Sequence, residues 1–205
     1  MKTLYLVRHG HIENPKNIFY GSAIPISSIG AKEMTAVAND IKSAHCTPDK
    51  IISSPYLRTR ESAEIIAHIF GIQEVSFDER LIDWQVGDWI GQPLEDFRRF
   101  AGYYHQPFKP NFDGLETYNE MADRVIAVLD ALRDSLADNE CGIIVSHREP
   151  LASALLRLTK RQDNDMREID LPKGSAWKLL FDGSQLKSAE KTFDRSSEAT
   201  KKDII

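Results

Sequence analysis

Cysteine, long apolar runs and excess positive charge are all scarce in this chain, and each scarcity narrows what it can be. The two cysteines, Cys46 and Cys141, stand far apart and match no metal-ligand or redox spacing, so they are expected to be buried, reduced thiols. No apolar run approaches the roughly 18 residues of a membrane span, and the opening Met1-Lys2-Thr3-Leu4-Tyr5-Leu6-Val7 meets Arg8 and His9 too early for a signal peptide. A cytoplasmic protein without membrane attachment is therefore expected. Lys and Arg number 26 against 31 Asp and Glu, a net charge of -5, which argues against a general affinity for nucleic acid or anionic lipid. Any anion recognition has to be local. Repeats, low-complexity segments and interdomain linkers are also missing, and 205 residues suffice for one domain with an insertion.

What is there is an alternation of short β-branched runs with helical patterns, the signature of an α/β fold. The expectation is a three-layer sandwich with a mainly parallel central sheet flanked by helices. Strands are read at Leu4–Val7, Lys50–Ser53, Glu74–Phe77, Gly142–Ser146 and Ala176–Phe181. Ser27 or Ser28 can cap a helix whose apolar positions include Ile29, Val37 and Ile41. Tyr56–Phe70 reads as helix, and Thr117-Tyr118-Asn119-Glu120 has the capping-box spacing that opens a long helix with Met121, Val125, Val128, Leu129, Leu132 and Leu136 towards the core. Pro150 is expected to start the helix after Ser146. The stretch from Trp84 to Tyr118 differs, holding nine of the eighteen aromatic residues, three prolines and one short helix near Leu94 to Phe100. It reads as an inserted lid, at about 84–118, in a catalytic domain spanning 1–186. The polar tail 187–205 is expected to be mobile.

Two segments deliver a histidine in the same way: Leu4-Tyr5-Leu6-Val7-Arg8-His9-Gly10 and Gly142-Ile143-Ile144-Val145-Ser146-His147-Arg148. Ligands of open parallel sheets bind beyond the carboxyl ends of the strands, so the two histidines can converge. Gly10 is read as allowing a tight turn, and a helix amino terminus beside His147 favours an anion. A third segment, Ser53-Ser54-Pro55-Tyr56-Leu57-Arg58, runs from strand to helix and can present Arg58 to the same crevice. Arginine grips tetrahedral oxyanions in bidentate fashion, and its charge favours a neutral, nucleophilic His9.

Together, Arg8-His9-Gly10, Pro25-Ile26-Ser27 through Gly30, Ser53-Ser54-Pro55 through Arg58, and Val145-Ser146-His147 resemble the signature segments of the histidine phosphatase superfamily, also called phosphoglycerate mutase-like, from Leu4 to about Phe181. The resemblance implies that His9 is the phosphorylated nucleophile, that Arg8, Arg58 and His147 hold the phosphoryl group, and that Asp83, within Arg80–Trp89, is the general acid and base. It implies no metal and no other cofactor. The family's phosphate-binding asparagine is matched by Asn14 or Asn17, with Asn14 preferred. This chain departs from the family at His11, where an acidic or amide residue is more common, at Asp83, where many relatives have glutamate and Asp88 is a rival, and at Arg148-Glu149 after His147.

Phosphomonoester hydrolysis is the leading expectation. The alternatives are a phosphoglycerate mutase-type isomerase, a non-catalytic phosphate-binding module, and a metal hydrolase built on His9-Gly10-His11. The last fails because the chain has no obvious further ligand set. The partner implied is a small phosphorylated molecule, with Phe97, Phe100, Tyr103, Tyr104 and His105 as an apolar rim and Arg98, Arg99 and Lys109 for further acidic groups. An exposed aromatic lid serves equally as a substrate wall or as a contact in a homodimer.

Overall fold

The computed structural model describes residues 1–101, 115–160 and 169–193. Strand β1 (Lys2–Arg8) is followed by α1 (Ser28–Ser43), β2 (Lys50–Ser53), α2 (Leu57–Phe70), β3 (Ser76–Phe77), α3 (Leu94–Ala101), α4 (Tyr118–Ser135), β4 (Cys141–Ser146), α5 (Arg148–Leu158), β5 (Ala176–Asp182) and β6 (Gln185–Phe193). The strands form one mixed sheet in the order β3-β2-β4-β1-β5-β6. The pairs β3–β2, β2–β4 and β4–β1 are parallel, while β5 runs antiparallel to both β1 and β6. The expected α/β sandwich is observed.

Alternation along the central strands builds both cores. On β1, Leu4 and Leu6 face one layer and Tyr5 and Val7 the other; on β4, Ile144 opposes Ile143 and Val145. The first set packs against Met121, Val125, Val128, Leu129 and Leu132 of α4 and Leu151 and Leu155 of α5. The second packs against Met34, Val37 and Ile41 of α1 and Ala63 and Ile66 of α2. A leucine buried as completely as Leu6 contributes about 2 kcal/mol of transfer free energy. Caps set the helix starts: the Ser27 hydroxyl accepts from the Gly30 N–H, and Thr117 and Glu120 form the expected reciprocal box.

Several expectations are corrected. Ile29 is 54 % exposed, because the buried face of α1 runs through Gly30, Met34, Val37, Ala38 and Ile41 and Ile29 lies off it. Pro150 is the third residue of α5, which starts at Arg148 with His147 as its cap. Residues 187–193 are not tail but part of β6, held to β5 by main-chain pairing. Cys46 and Cys141 are joined in a disulfide with Cα atoms 6.4 Å apart, not left as reduced thiols. Asp49 brings them together: its carboxylate accepts from the Cys141 N–H and its own N–H donates to the Cys141 carbonyl, seating the start of β2 on β4. Among the described residues no helix is long and apolar enough to cross a membrane.

Candidate active site

The sheet register places the chemistry. Arg8 pairs with Ser146 and Ser53 with Val145, so β1, β4 and β2 end side by side. The chain then continues into His9, His147 and Ser54 at one level. Main-chain bonds extend the alignment past the strands, with the His9 N–H donating to the Ser146 carbonyl at 3.1 Å and the Ser54 N–H to the Val145 carbonyl at 3.0 Å. The imidazole centroids of His9 and His147 lie 5.4 Å apart. Each ring is 1 % exposed.

Why Gly10 follows His9 is a matter of space and not of turn geometry, since its φ is not left-handed. A Cβ on Gly10 would lie 2.5 Å from the Gly30 carbonyl oxygen, and one on Gly30 would lie 2.3 Å from that of His11. Two glycines thus let the end of β1 touch the first turn of α1. The Gly10 N–H donates to Ser62 Oγ, which itself donates to the Arg58 carbonyl, linking the end of the His9 strand to the Arg58 helix.

His9 Nδ1 lies 2.8 Å from the Gly10 carbonyl oxygen. A carbonyl can only accept, so Nδ1 carries the proton and Nε2 keeps its lone pair. Burial, then the neighbouring His147, Arg8 and Arg58, hold the His9 pKa well below its ordinary value. His9 is therefore a neutral imidazole with a free Nε2 among cations. His147 is held neutral in the same way, by burial first and then by Arg58 and Arg8. Its Nε2 is 2.9 Å from Ser54 Oγ, and its Nδ1 faces Asp83 Oδ2 at 3.5 Å.

Arg58 is completely buried. It donates to the Gly21 carbonyl at 2.9 Å and to Asp83 Oδ2 at 2.8 Å, and its guanidinium lies over the rings of Tyr20 and Tyr56. Arg8 donates to the Leu171 carbonyl. Asp83 accepts from the Trp84 N–H through Oδ1. Arg8 Nε, Arg58 Nε and His147 Nδ1 are buried without a hydrogen-bond partner among the described residues. An unsatisfied buried donor costs about 1–3 kcal/mol, so the two arginine Nε–H groups keep donor capacity that the described residues do not use. No three of the described His, Cys, Asp and Glu side chains converge as metal ligands. His11, the second half of the His-x-His pattern, turns its Nδ1 to Ser27 Oγ at 2.8 Å.

A cavity of about 770 Å³ opens onto this cluster. Arg8 and Asp83 belong to its wall, while His9, Arg58 and His147 lie back from it. The lining combines polar His11, Arg148, Glu149 and Lys173 with apolar Phe19, Val86, Ile90 and Phe97. Residues 17–19 and 91–94 are stitched together by main-chain bonds, including the Phe19 N–H to the Gln92 carbonyl and the Leu94 N–H to the Asn17 carbonyl. Phe97 makes edge contacts with Phe19, Trp84 and Trp89. This cluster is the described part of the anticipated lid; Tyr103, Tyr104, His105 and Lys109 lie outside the described residues, as do the side chains of Arg98 and Phe100.

His9, Arg8, Arg58, Asp83 and His147 are thus brought together as expected. Asn14 and Asn17 both line the cavity, but Asn14 uses both ends of its amide on the main chain of Ile18, bracing a turn. Asp88, the rival acid, lies in the 3-10 turn Gly87–Trp89 and is not part of the cavity wall. Sequence reasoning missed Tyr20 against Arg58, Ser54 against His147, and Lys173. Lys173 is positioned because its neighbour Gly174 donates to the His9 carbonyl at 3.0 Å. Burial, then Arg8, lowers the Lys173 pKa.

A family model for the histidine phosphatase superfamily (branch 1) matches residues 4–193. The chain belongs to that superfamily. Within it, an uncharacterised protein of Mycobacterium tuberculosis is 31 % identical over 191 residues, covering 89 % of this chain and 92 % of its own. A probable phosphoglycerate mutase GpmB of Escherichia coli is 34 % identical over 160 residues, covering 72 % and 70 %. Among solved structures, a mycobacterial glucosyl-3-phosphoglycerate phosphatase in complex with VO3 superposes with a TM-score of 0.77 at 20 % identity, covering 93 % of this chain and 97 % of its own. A phosphoserine phosphatase of Entamoeba histolytica in complex with 3-phosphoglyceric acid gives 0.74 at 23 % identity, covering 93 % and 97 %. These structures share the superfamily's fold with this chain.

Proposed function

We propose that this chain hydrolyses phosphomonoesters through a phosphohistidine formed on His9. The observation that carries the reading is the fixed tautomer of His9: Nδ1–H bound to the Gly10 carbonyl, Nε2 unprotonated, and Arg8, Arg58 and His147 gathered beside it. Nε2 attacks phosphorus, a P–N bond forms, and the P–O bond to the leaving group breaks. Arg8 and Arg58 take up the charge on the equatorial oxygens. Asp83, protonated, gives its proton to the departing oxygen. Water then attacks the phosphohistidine, Asp83 removes its proton, the P–N bond breaks and inorganic phosphate leaves. The substrate is a small phosphorylated molecule accommodated among the polar and apolar residues that line the cavity.

The similarity to a probable phosphoglycerate mutase keeps one second reading in play, an isomerase that returns the phosphoryl group from His9 to the same substrate skeleton. The test is metal-free phosphate release by wild type and His9→Ala across a panel of phosphomonoesters, with 3-phosphoglycerate isomerisation followed in parallel. Hydrolysis predicts release and an acid-labile phosphoenzyme, both abolished in His9→Ala. Isomerisation without release would replace the phosphatase reading with the mutase one.

A further inference from the structure

Asp83 stands on an irregular stretch. A 3-10 turn at Glu79–Leu81 precedes it and no helix or strand carries it. A carboxylate that must meet a leaving oxygen cannot drift by an ångström without loss of rate, so something outside that stretch has to hold it.

Arg58 bonds the carboxylate itself, and the main chain that carries it is bonded by Arg124, on α4. A guanidinium has five N–H groups, and all five of Arg124 are committed here. Nη1 donates to the carbonyls of Arg80 and Ile82, both at 2.7 Å, and Nη2 donates to the carbonyl of Asp83 at 3.2 Å. The remaining donors form a fork onto the Glu116 carboxylate, Nε to Oε1 at 2.5 Å and Nη2 to Oε2 at 2.9 Å. Glu116 reaches the same loop from the other side. Its Oε2 accepts from the Gln85 N–H at 3.2 Å, its carbonyl accepts from Trp84 Nε1 at 2.7 Å, and its N–H donates to the Gln85 carbonyl at 3.1 Å. The Gln85 side chain closes the ring by donating to the Asp83 carbonyl. The pair is well shielded, with side chains 15 % and 11 % exposed, so these charge-assisted bonds are little weakened by water. The base is firm as well, since Glu116 directly precedes the Thr117–Glu120 capping box that opens α4.

We propose that Arg124, together with Glu116, is a positioning residue for Asp83, fixing the main chain on both sides of the carboxylate so that it can deliver its proton to the leaving oxygen. This rests on the reading of Asp83 as the general acid. Lysine cannot replace the arginine, because a point-like ammonium with three donors cannot span three carbonyls and a carboxylate.

The test uses the full chain with Arg124→Lys and, as a milder and nearly isosteric alternative, Glu116→Gln, each checked for folding by its thermal midpoint. Rates are compared on p-nitrophenyl phosphate, which needs little protonation of its leaving group, and on glycerol phosphate, which needs much. The expected result is a loss on glycerol phosphate roughly tenfold greater than on p-nitrophenyl phosphate, a fraction of what a general acid supplies, and no further selective loss when either variant is combined with Asp83→Asn. Equal losses on both esters, or a selective loss that persists in the Asp83→Asn background, would overturn the proposal. Asp83→Asn alone separates the two readings: no leaving-group selectivity there removes Asp83 as acid, whereas selectivity there without any in the clamp variants removes only the role of Arg124 and Glu116.

Discussion

The floor of the cavity and its aromatic wall are built by different means. On the floor, His9, Arg58 and His147 are almost wholly buried and are placed by strand register and main-chain bonds. The wall is placed by ring packing: Phe97 against Phe19, Trp84 and Trp89, with loops stitched edge to edge. The floor has polar groups locked by the sheet, so its geometry is as stiff as the core. The wall has a satellite cluster of Val86 and Phe97 that meets the α4 core through Trp84, which packs against both, so its remaining side chains are the part of the cavity least tied to the floor. On the proposed function, reaction type belongs to the first region and substrate choice to the second.

The comparison is broken most severely at Arg58. Arg58→Ala is expected to lower kcat by about 3 kcal/mol, on the scale of other oxyanion contacts, whatever ester is supplied, and steady-state kinetics on two unlike esters measures it. A loss confined to one ester would place Arg58 with the wall. The next effect is on stability. Folded His9 and His147 resist protonation that the unfolded chain accepts below about pH 6.5. The unfolded state then binds more protons, so stability is retained above that pH and declines as pH falls towards the depressed folded values, by up to about 1.4 kcal/mol per unit for each ring. Thermal melts from pH 7.5 to 5 should show this decline, and His147→Gln should flatten it; a flat wild-type profile would mean that the floor is not locked in its neutral form. The smallest effect belongs to the wall. Phe97→Ala should raise KM for bulky phosphoesters by about 1 kcal/mol, the scale of aromatic edge contacts, and leave kcat on p-nitrophenyl phosphate little changed. A fall in kcat on both would show that floor and wall are coupled.

The floor was legible in the sequence because continuous apolar strands ending in Arg8-His9 and Ser146-His147 can sit only in the middle of a covered sheet, and strand ends converge by rule. Thr117 and Glu120 were legible for a similar reason, since a cap acts within four residues. What was not legible depends on contacts between distant segments. Cys46 lies beside Cys141 where Asp49 bonds the start of β4, a contact across 92 residues of sequence. The edge strand β6 hid its alternation because register shifts at Ala176/Trp177 and Leu180/Phe181 break the period of two. Arg124 looked like any charged position on a helix, and Glu116 like a loop carboxylate; their purpose lies in carbonyls that carry no sequence signal. Asn14 lines the cavity, and the bonds of its amide to the Ile18 main chain are likewise a contact that its sequence position does not announce.

The order β3-β2-β4-β1-β5-β6 has a consequence for how the molecule is made. β1 is made before the other five strands, yet its neighbours β4 and β5 follow only after β2 and β3. During synthesis the strand that carries His9 must wait with two unpaired edges, closing only through long-range contacts of the slow-forming kind. His9 thus acquires its neutral, buried environment late, when β4 and His147 arrive, and a chain cut short before β4 would carry His9 without the surroundings that the proposed reaction needs.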